Sequence, residues 1–132
     1  MILVIGGSYQ GKLEFILKKY GFCMEDVYNC NVNRNDVYSI ESCYTAKVIY
    51  HYHELINKIL EYQKDPLEIT KDIFEKNPKV IIISNEIGYG IVPTEKFQRD
   101  YRENVGRVCC YIAEHSDTVI RVTAGIGKVI KG

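Results

Sequence analysis

The chain has 132 residues, a length that predicts one domain over residues 1–132. Seventeen basic and seventeen acidic residues cancel, and this balance argues against a nucleic-acid or membrane partner recognised by charge. No apolar run approaches the ~20 residues of a membrane span, and the N-terminus lacks the basic region of a signal peptide. Five cysteines without a C-x-x-C pair are typical of reduced thiols, so we expect a cytoplasmic protein.

The first twenty residues contain the strongest functional pattern. An apolar strand, Ile2–Ile5, leads into glycines, and an amphipathic helix, Leu13–Tyr20, follows and ends at Gly21. The predicted nucleotide-binding residues between them are Gly6, Gly7, Ser8, Tyr9, Gln10, Gly11, Lys12 and Leu13. The spacing G-x-x-x-x-G-K between a strand and a helix is that of a phosphate-binding P-loop. Glycines let backbone N–H groups surround a phosphate, the helix N-terminus attracts an anion, and the lysine reaches the outer phosphates.

The last position of this pattern departs from the usual P-loop. A hydroxyl residue there normally holds Mg²⁺, and this chain has Leu13 instead. A tight strand-to-helix turn with an exposed Lys12, retaining the shape of the loop without its chemistry, is the alternative interpretation.

Strands and helices alternate along the rest of the chain. The further predicted strands are Asp26–Cys30, Ala46–His53, Val80–Ile83, Thr118–Thr123 and a short edge strand at Lys128–Lys131. The further predicted helices are Glu54–Tyr62, one from Pro66 to the stop at Asn77-Pro78, and one from Pro93 or Thr94 to His115 with the apolar stripe Phe97, Tyr101, Val105, Val108 and Ile112. Residues 29–36 are predicted as a loop, and residues 37–44 stay undecided. The alternation predicts an α/β, P-loop NTPase-like three-layer fold with a mainly parallel sheet, in which Val80–Ile83 is buried on both faces.

Two polar residues follow that buried strand. Asn85 and Glu86 lie at the carboxyl end of a predicted parallel strand, where α/β proteins bind ligands. We therefore consider both as possible substrate contacts. For Glu86, stabilisation of the glycine turn at Gly88 and Gly90 is an equal alternative.

His51 and His53 are predicted to share one face of a strand. They suit a displaced nucleophile or a two-ligand metal site, but polar strand-end residues near a subunit contact are the interpretation we favour. The spacing of a metal site is absent, so no metal ligand is assigned. The catalytic residues also stay unassigned.

Three blocks of sequence resemble a known family. They are M-I-L-V-I-G-G-S-Y-Q-G-K at 1–12, I-S-N-E-I-G-Y-G-I-V-P at 83–93 with the following helix, and A-G-I-G-K-V-I-K at 124–131. In this order they resemble the bifunctional adenosylcobinamide kinase / adenosylcobinamide-phosphate guanylyltransferase family of cobalamin biosynthesis. The resemblance implies a P-loop fold, binding of GTP or ATP and of adenosylcobinamide, and guanylyl transfer through a histidine. It also implies a homo-oligomer, for which we expect a trimer, and eleven tyrosines are compatible with a subunit interface.

The chain departs from that family at three chemically important places. Leu13 replaces the P-loop hydroxyl, Tyr50 or His51 replaces a strand-end acid, and the segment from Asn31 to Ala46 contains no histidine. Mg²⁺ is therefore a possible cofactor whose usual ligands are missing. One hypothesis is an enzyme of this family without the guanylylated-histidine segment, and the other is a catalytically inactive, nucleotide- or corrinoid-binding oligomeric relative.

Overall fold

A six-stranded sheet runs through the described part of this computed structural model, which comprises residues 1–31, 40–86 and 95–132. The strands are β1 (Ile2–Gly6), β2 (Val27–Asn29), β3 (Val48–Tyr50), β4 (Ile81–Asn85), β5 (Thr118–Thr123) and β6 (Ile126–Lys131). Their order across the sheet is β2-β3-β4-β1-β5-β6. All neighbouring strands are parallel except β5 and β6, which are antiparallel. The predicted mainly parallel sheet is confirmed.

Helices follow the strands in the expected alternation. They are α1 (Lys12–Tyr20), α2 (Ile40–Thr45), α3 (Tyr52–Glu61), α4 (Pro66–Lys76) and α5 (Lys96–His115), with a short 3₁₀ turn at Met24–Asp26. Gly21 ends α1 in the left-handed conformation, at φ 71°, as a C-terminal glycine should. Asp65 begins α4, because its side chain accepts the backbone N–H of Leu67.

Two apolar clusters lie on opposite faces of the sheet. Leu13 and Ile16 of α1 pack on one face against strand residues such as Val4 and Ile83. On the other face Ile82 packs among apolar residues of α3, α4 and α5. The continuous apolar run of β4 is therefore divided between the two faces, as expected for a central parallel strand. The three-layer α/β fold predicted from the sequence is confirmed.

One predicted strand is too long, and the error changes the position of both histidines. The strand predicted at Ala46–His53 ends at Tyr50, and α3 begins at Tyr52. His51 lies between them with a left-handed backbone at φ 59°, which turns the chain out of the sheet. The prediction that His51 and His53 share a strand face is therefore wrong, because Tyr52, Leu55 and Ile56 already belong to a buried helical face.

Smaller differences concern the ends of elements. Within the undecided segment 37–44, α2 begins at Ile40, whereas residues 32–39 lie outside the described part. The turn at Gly88 and Gly90 and the predicted helix start at Pro93 or Thr94 also lie outside it. Phe97 is 39% exposed and does not belong to the buried stripe of α5, which consists of Val105, Val108 and Ile112. None of the helices described here has the length and apolar character needed to cross a membrane.

Candidate functional site

A polar pocket of about 490 Å³ opens where β1, β3 and β4 end. It is lined by residues 8–12 of the glycine-rich loop and by Tyr50, His51, His53 and Asn85. These residues come from distant parts of the chain and meet at the carboxyl edge of the parallel strands, which is where ligands bind in open α/β sheets. The volume lies within the range of small-molecule sites.

The glycine-rich loop has the geometry that its sequence predicts. Gly11 precedes α1 in the left-handed conformation at φ 81°, which glycine adopts without strain. Gly6 allows β1 and β5 to approach closely, because a Cβ atom there would lie 2.5 Å from the backbone oxygen of Val122. Gly6, Gly7 and Leu13 are not among the described residues that line the pocket. Leu13 is 8% exposed and packs in the core against the sheet.

Lys12 is the first residue of α1 and lies almost entirely within the protein, with 5% of its surface exposed. Its Nζ donates a hydrogen bond of 2.6 Å to the backbone oxygen of Gly7, so the side chain folds back over its own loop. Burial lowers the pKa of Lys12 below its ordinary value of 10.5, and the negative charge of Glu86 acts against this shift. The ammonium group of Lys12 is thus held beside the loop at which a negatively charged phosphate would bind.

The other two sequence blocks hold this loop in place. The side-chain oxygen of Gln10 accepts the backbone N–H of Ala124, and its backbone oxygen accepts that of Gly125 over 2.8 Å. On the opposite side, Nδ2 of Asn85 donates to Oγ of Ser8 over 2.9 Å. Described residues of all three blocks that carry the family resemblance therefore meet at this loop.

The described hydrogen bonds do not account for every amide of the loop. Among the described hydrogen bonds outside helices and strands, none uses the amides of Ser8, Tyr9 or Gln10 as donors. Tyr9 has a left-handed backbone at φ 60° and a fully exposed ring. His51, on the other side of the pocket, is also left-handed, and such strained positions concentrate at functional sites.

Glu86 is engaged by a partner that the sequence did not indicate. Its Oε1 accepts a hydrogen bond of 2.6 Å from Nε of Arg121, and its backbone N–H donates to the backbone oxygen of Gly6. These contacts connect the end of β4 to β1 and β5. Among the residues described as lining the pocket, Asn85 is present and Glu86 is not.

The two histidines lie beside the glycine-rich loop. His53 is buried, and its Nδ1 accepts the backbone N–H of Asn85 over 3.1 Å. Burial, followed by the nearby His51 and Lys12, lowers the pKa of His53 to about 4. The ring of His51 stacks on Tyr50 with 3.7 Å between centroids and lies 5.6 Å from the ring of His53. Both imidazoles are therefore neutral components of the pocket wall at pH 7.

At the positions where the family resemblance places the ligands of Mg²⁺, the described pocket has other side chains. Leu13, and Tyr50 or His51, supply no carboxylate or aliphatic hydroxyl at the positions where the family resemblance places metal ligands. Glu14 and Glu54 line the pocket, but no group of three His, Cys, Asp or Glu side chains in the described ranges could hold a metal ion. What the site offers instead is an ammonium, loop amides and a helix N-terminus, which together suit a polyanion.

Several pocket residues were not identified from the sequence as site residues. They are Glu14, Asn29, Asn31 and Glu54, of which Asn29 contacts His51 and the others line the pocket. Asn29 is the last residue of β2, so the rule that ligands bind at strand ends could have found it. Glu54 was missed because the strand was predicted to continue to His53, whereas α3 begins at Tyr52.

Comparison with known proteins gives the following similarities. A model of the cobinamide kinase / cobinamide phosphate guanyltransferase family matches residues 23–130. The chain is 29% identical over 126 residues to the bifunctional adenosylcobalamin biosynthesis protein CobU of Escherichia coli K12, covering 82% of this chain and 65% of that protein. It is 43% identical over 53 residues to the protein of the same name from Salmonella typhimurium, covering 40% and 29% respectively. The resemblance inferred from the three sequence blocks is confirmed. The chain spans less than two thirds of the length of either relative.

Proposed function

We propose that residues 6–13, and Lys12 above all, bind the phosphates of GTP or ATP. The reason is that this chain belongs to the cobinamide kinase / cobinamide phosphate guanyltransferase family. The observation that carries the proposal is the buried Lys12 ammonium, folded over a loop of which residues 8–12 line a polar pocket. Asn85 completes the pocket beside Ser8, and Glu86 acts by positioning Arg121 and the end of β4.

The reaction we propose is the kinase step, in which the γ-phosphoryl group of the nucleotide passes to a hydroxyl group of adenosylcobinamide. Phosphoryl transfer depends mainly on positioning and on neutralising charge, and the pocket supplies both through its loop and Lys12. The guanylyl step needs a histidine on the segment between Asn31 and Ala46, and that segment has none. We therefore propose that the chain acts in cobalamin biosynthesis as a single nucleotide-binding domain with the kinase activity alone.

The first test is calorimetry with GTP and with ATP. Replacing Lys12 by alanine removes a charge-assisted contact worth about 1.5–3 kcal/mol, so we expect nucleotide binding to weaken about 10- to 150-fold. Lys18→Ala is the matched control, because Lys18 is an exposed residue of the same helix outside the pocket. Equal affinities of the wild type and the Lys12→Ala variant would contradict the proposed nucleotide site.

The same titrations with and without Mg²⁺ test how the nucleotide is held. Because Leu13 lies in the core and Tyr50 or His51 replaces a carboxylate, the usual ligands of the metal are missing. We expect the dissociation constant to change less than about tenfold when EDTA replaces Mg²⁺, whereas loss of one charged ligand typically changes it by more. A nucleotide that binds only in the presence of Mg²⁺ would refute this expectation.

Labelled GTP distinguishes the two reactions of the family. With label at the γ-phosphate we expect transfer to adenosylcobinamide, and with label at the α-phosphate we expect no labelled protein band after denaturing electrophoresis. An acid-labile band from α-labelled GTP would show a phosphoramidate on a histidine, and its loss in a His51→Ala or His53→Ala variant would locate it.

A second candidate function is supported by Leu13. Its side chain packs in the core, where the usual P-loop has a hydroxyl directed at Mg²⁺, so the fold has replaced a catalytic ligand by a packing residue. A catalytically inactive, nucleotide- or corrinoid-binding oligomeric relative would bind GTP, ATP or adenosylcobinamide in calorimetry and yet transfer no label. The γ-label experiment separates this candidate from the kinase.

A further inference from the structure

The imidazole of His51 is held in one tautomer by Asn29. Oδ1 of Asn29 accepts the backbone N–H of Asn31 over 3.0 Å, a contact that fixes the orientation of the side-chain amide. The same oxygen lies 2.9 Å from Nδ1 of His51. Because an amide oxygen can only accept a hydrogen bond, Nδ1 carries the proton and Nε2 retains its lone pair.

His53 has the opposite tautomer. The backbone N–H of Asn85 donates to its Nδ1, so that nitrogen is unprotonated and Nε2 carries the proton. Nε2 of His53 lies 3.7 Å from Oε1 of Glu54. Of the two imidazoles that line the pocket, only His51 therefore has a nitrogen lone pair that is not already used.

The position of His51 suits contact with a ligand. It lines the same pocket as Lys12, and no described hydrogen bond involves its Nε2. Its ring is fixed by the bond to Asn29 and by stacking on Tyr50. The strained left-handed backbone at this residue places the ring at the end of β3, the strand next to β4.

Burial, followed by a neighbouring positive charge, favours the neutral form of this imidazole. Burial and the positive charge of Lys12 lower the pKa of His51 below 6.5. Among the described residues, the other titratable groups around it include Tyr50 of β3 and His53 and Glu54 of α3, and Glu14 of α1 lines the same pocket. At pH 7 the lone pair on Nε2 is therefore available to accept a proton.

We propose that Nε2 of His51 accepts the proton of the hydroxyl group that receives the γ-phosphoryl group. The role rests on the phosphoryl transfer proposed above. The hydroxyl oxygen forms a bond to the γ-phosphorus while the bond from that phosphorus to the β–γ bridging oxygen breaks, and the nucleoside diphosphate leaves with the electron pair. The hydroxyl proton moves to Nε2, and the resulting imidazolium releases it to water, to which the half-buried ring has access.

The variant His51→Asn tests the role with little structural change. Asparagine tolerates a left-handed backbone better than most residues, and its amide N–H₂ can still donate to Asn29. The variant therefore keeps the contact made by Nδ1 and loses the acceptor at Nε2. His115→Asn is the control, because His115 lies at the end of α5. Its described hydrogen bond is to the backbone oxygen of Tyr111.

The assay uses adenosylcobinamide with GTP or ATP. A proton acceptor typically contributes about 10²–10⁴ in rate, so we expect kcat of His51→Asn to fall by that factor while the dissociation constant of the nucleotide changes less than about threefold. The wild-type rate should decrease as the pH falls through the lowered pKa of His51, and the variant should lose this limb. His115→Asn should keep both the rate and the pH profile of the wild type.

The possible failures are distinguishable. A wild-type chain that binds nucleotide without transferring phosphate refutes the proposed function, and this role of His51 with it. A wild type that transfers phosphate while His51→Asn is unaffected refutes the role of His51 alone. Labelling of His51 by α-labelled GTP would make it a nucleophile and overturn the proposal. Nitrogen NMR offers a readout independent of turnover: a His51 imidazole with its proton on Nε2 would contradict the tautomer on which the proposal depends.

Discussion

At the scale of single residues, the most informative groups are His51 and His53, whose structural environments the sequence did not reveal. The residues A-K-V-I-Y-H-Y-H have strong β propensity, and the left-handed turn at His51 leaves no local signature. The turn converts the expected strand face into two different environments, with His51 beside Asn29 and His53 buried against Asn85. Only the three-dimensional neighbours decide which ring nitrogen carries the proton.

The buried His53 predicts a pH-dependent stability. Its pKa is about 4 in the folded chain and 6.5 when unperturbed, so between these values the unfolded chain binds more protons. The stabilisation is complete above pH 6.5 and decreases as the pH falls towards 4. We expect the free energy of unfolding to decrease by roughly 2–3 kcal/mol between pH 7 and pH 4.5 from this group.

Denaturant titrations over this pH range check the prediction. In the variant His53→Asn, the side-chain oxygen can still accept the N–H of Asn85, but the group no longer titrates. The free energy of unfolding of this variant should decrease less as the pH falls. The lowered pKa of His51 contributes to the decrease that remains. Identical pH dependences of the wild type and the variant would show that His53 does not carry the effect.

At the scale of elements, the junction between β1 and β5 depends on a glycine. A Cβ atom at Gly6 would lie 2.5 Å from the backbone oxygen of Val122, which cannot move without disturbing β5. We expect Gly6→Ala to lower the free energy of unfolding by about 1–3 kcal/mol through overpacking. Chemical denaturation measures the change.

Gly106→Ala is a matched control for that substitution. Gly106 lies within α5, and a Cβ atom there would meet nothing within 4 Å. Alanine should therefore stabilise the chain by about 0.4–1 kcal/mol, since it favours the helix and restricts the unfolded state. If both substitutions changed stability in the same direction, the close approach at Gly6 would not be the cause.

Elements with a strong period were predictable from the sequence, and elements defined by tertiary contacts were not. The apolar run at Val80–Ile83 and the buried stripe of α5 required particular faces to be covered, so their positions followed from composition and spacing. The pairing of Glu86 with Arg121 joins residues 35 positions apart, and no local pattern indicates it. The same holds for Asn29 and His51, which come together only because β2 and β3 are neighbours in the sheet.

At the scale of the whole molecule, the described residues of the three blocks of the family resemblance meet at the glycine-rich loop. The loop at residues 7–12 is held from one side by Asn85 and from the other by the turn at Ala124 and Gly125. A P-loop supported in this way can preserve its shape after Leu13 has replaced the hydroxyl, because the support comes from neighbouring strands rather than from a metal ion. Because the loop can keep its shape without its usual metal ligand, the fold is compatible with both proposed functions, an active kinase and a binding protein. The variants of Lys12 and His51 test these two proposals.

The last prediction concerns assembly. The family resemblance implies a homo-oligomer, and we predict a trimer of the chain. The surface of β6 is compatible with contact between copies, since Ile126, Val129 and Ile130 are between 47% and 73% exposed and β6 pairs, within the described ranges, with β5 alone. Light scattering coupled to size exclusion at micromolar concentration should report about 46 kDa, three copies of the 15.2 kDa chain. A mass of one chain that stays constant as the concentration rises would contradict the trimer, whereas a mass that falls on dilution would show a trimer in equilibrium with its subunits.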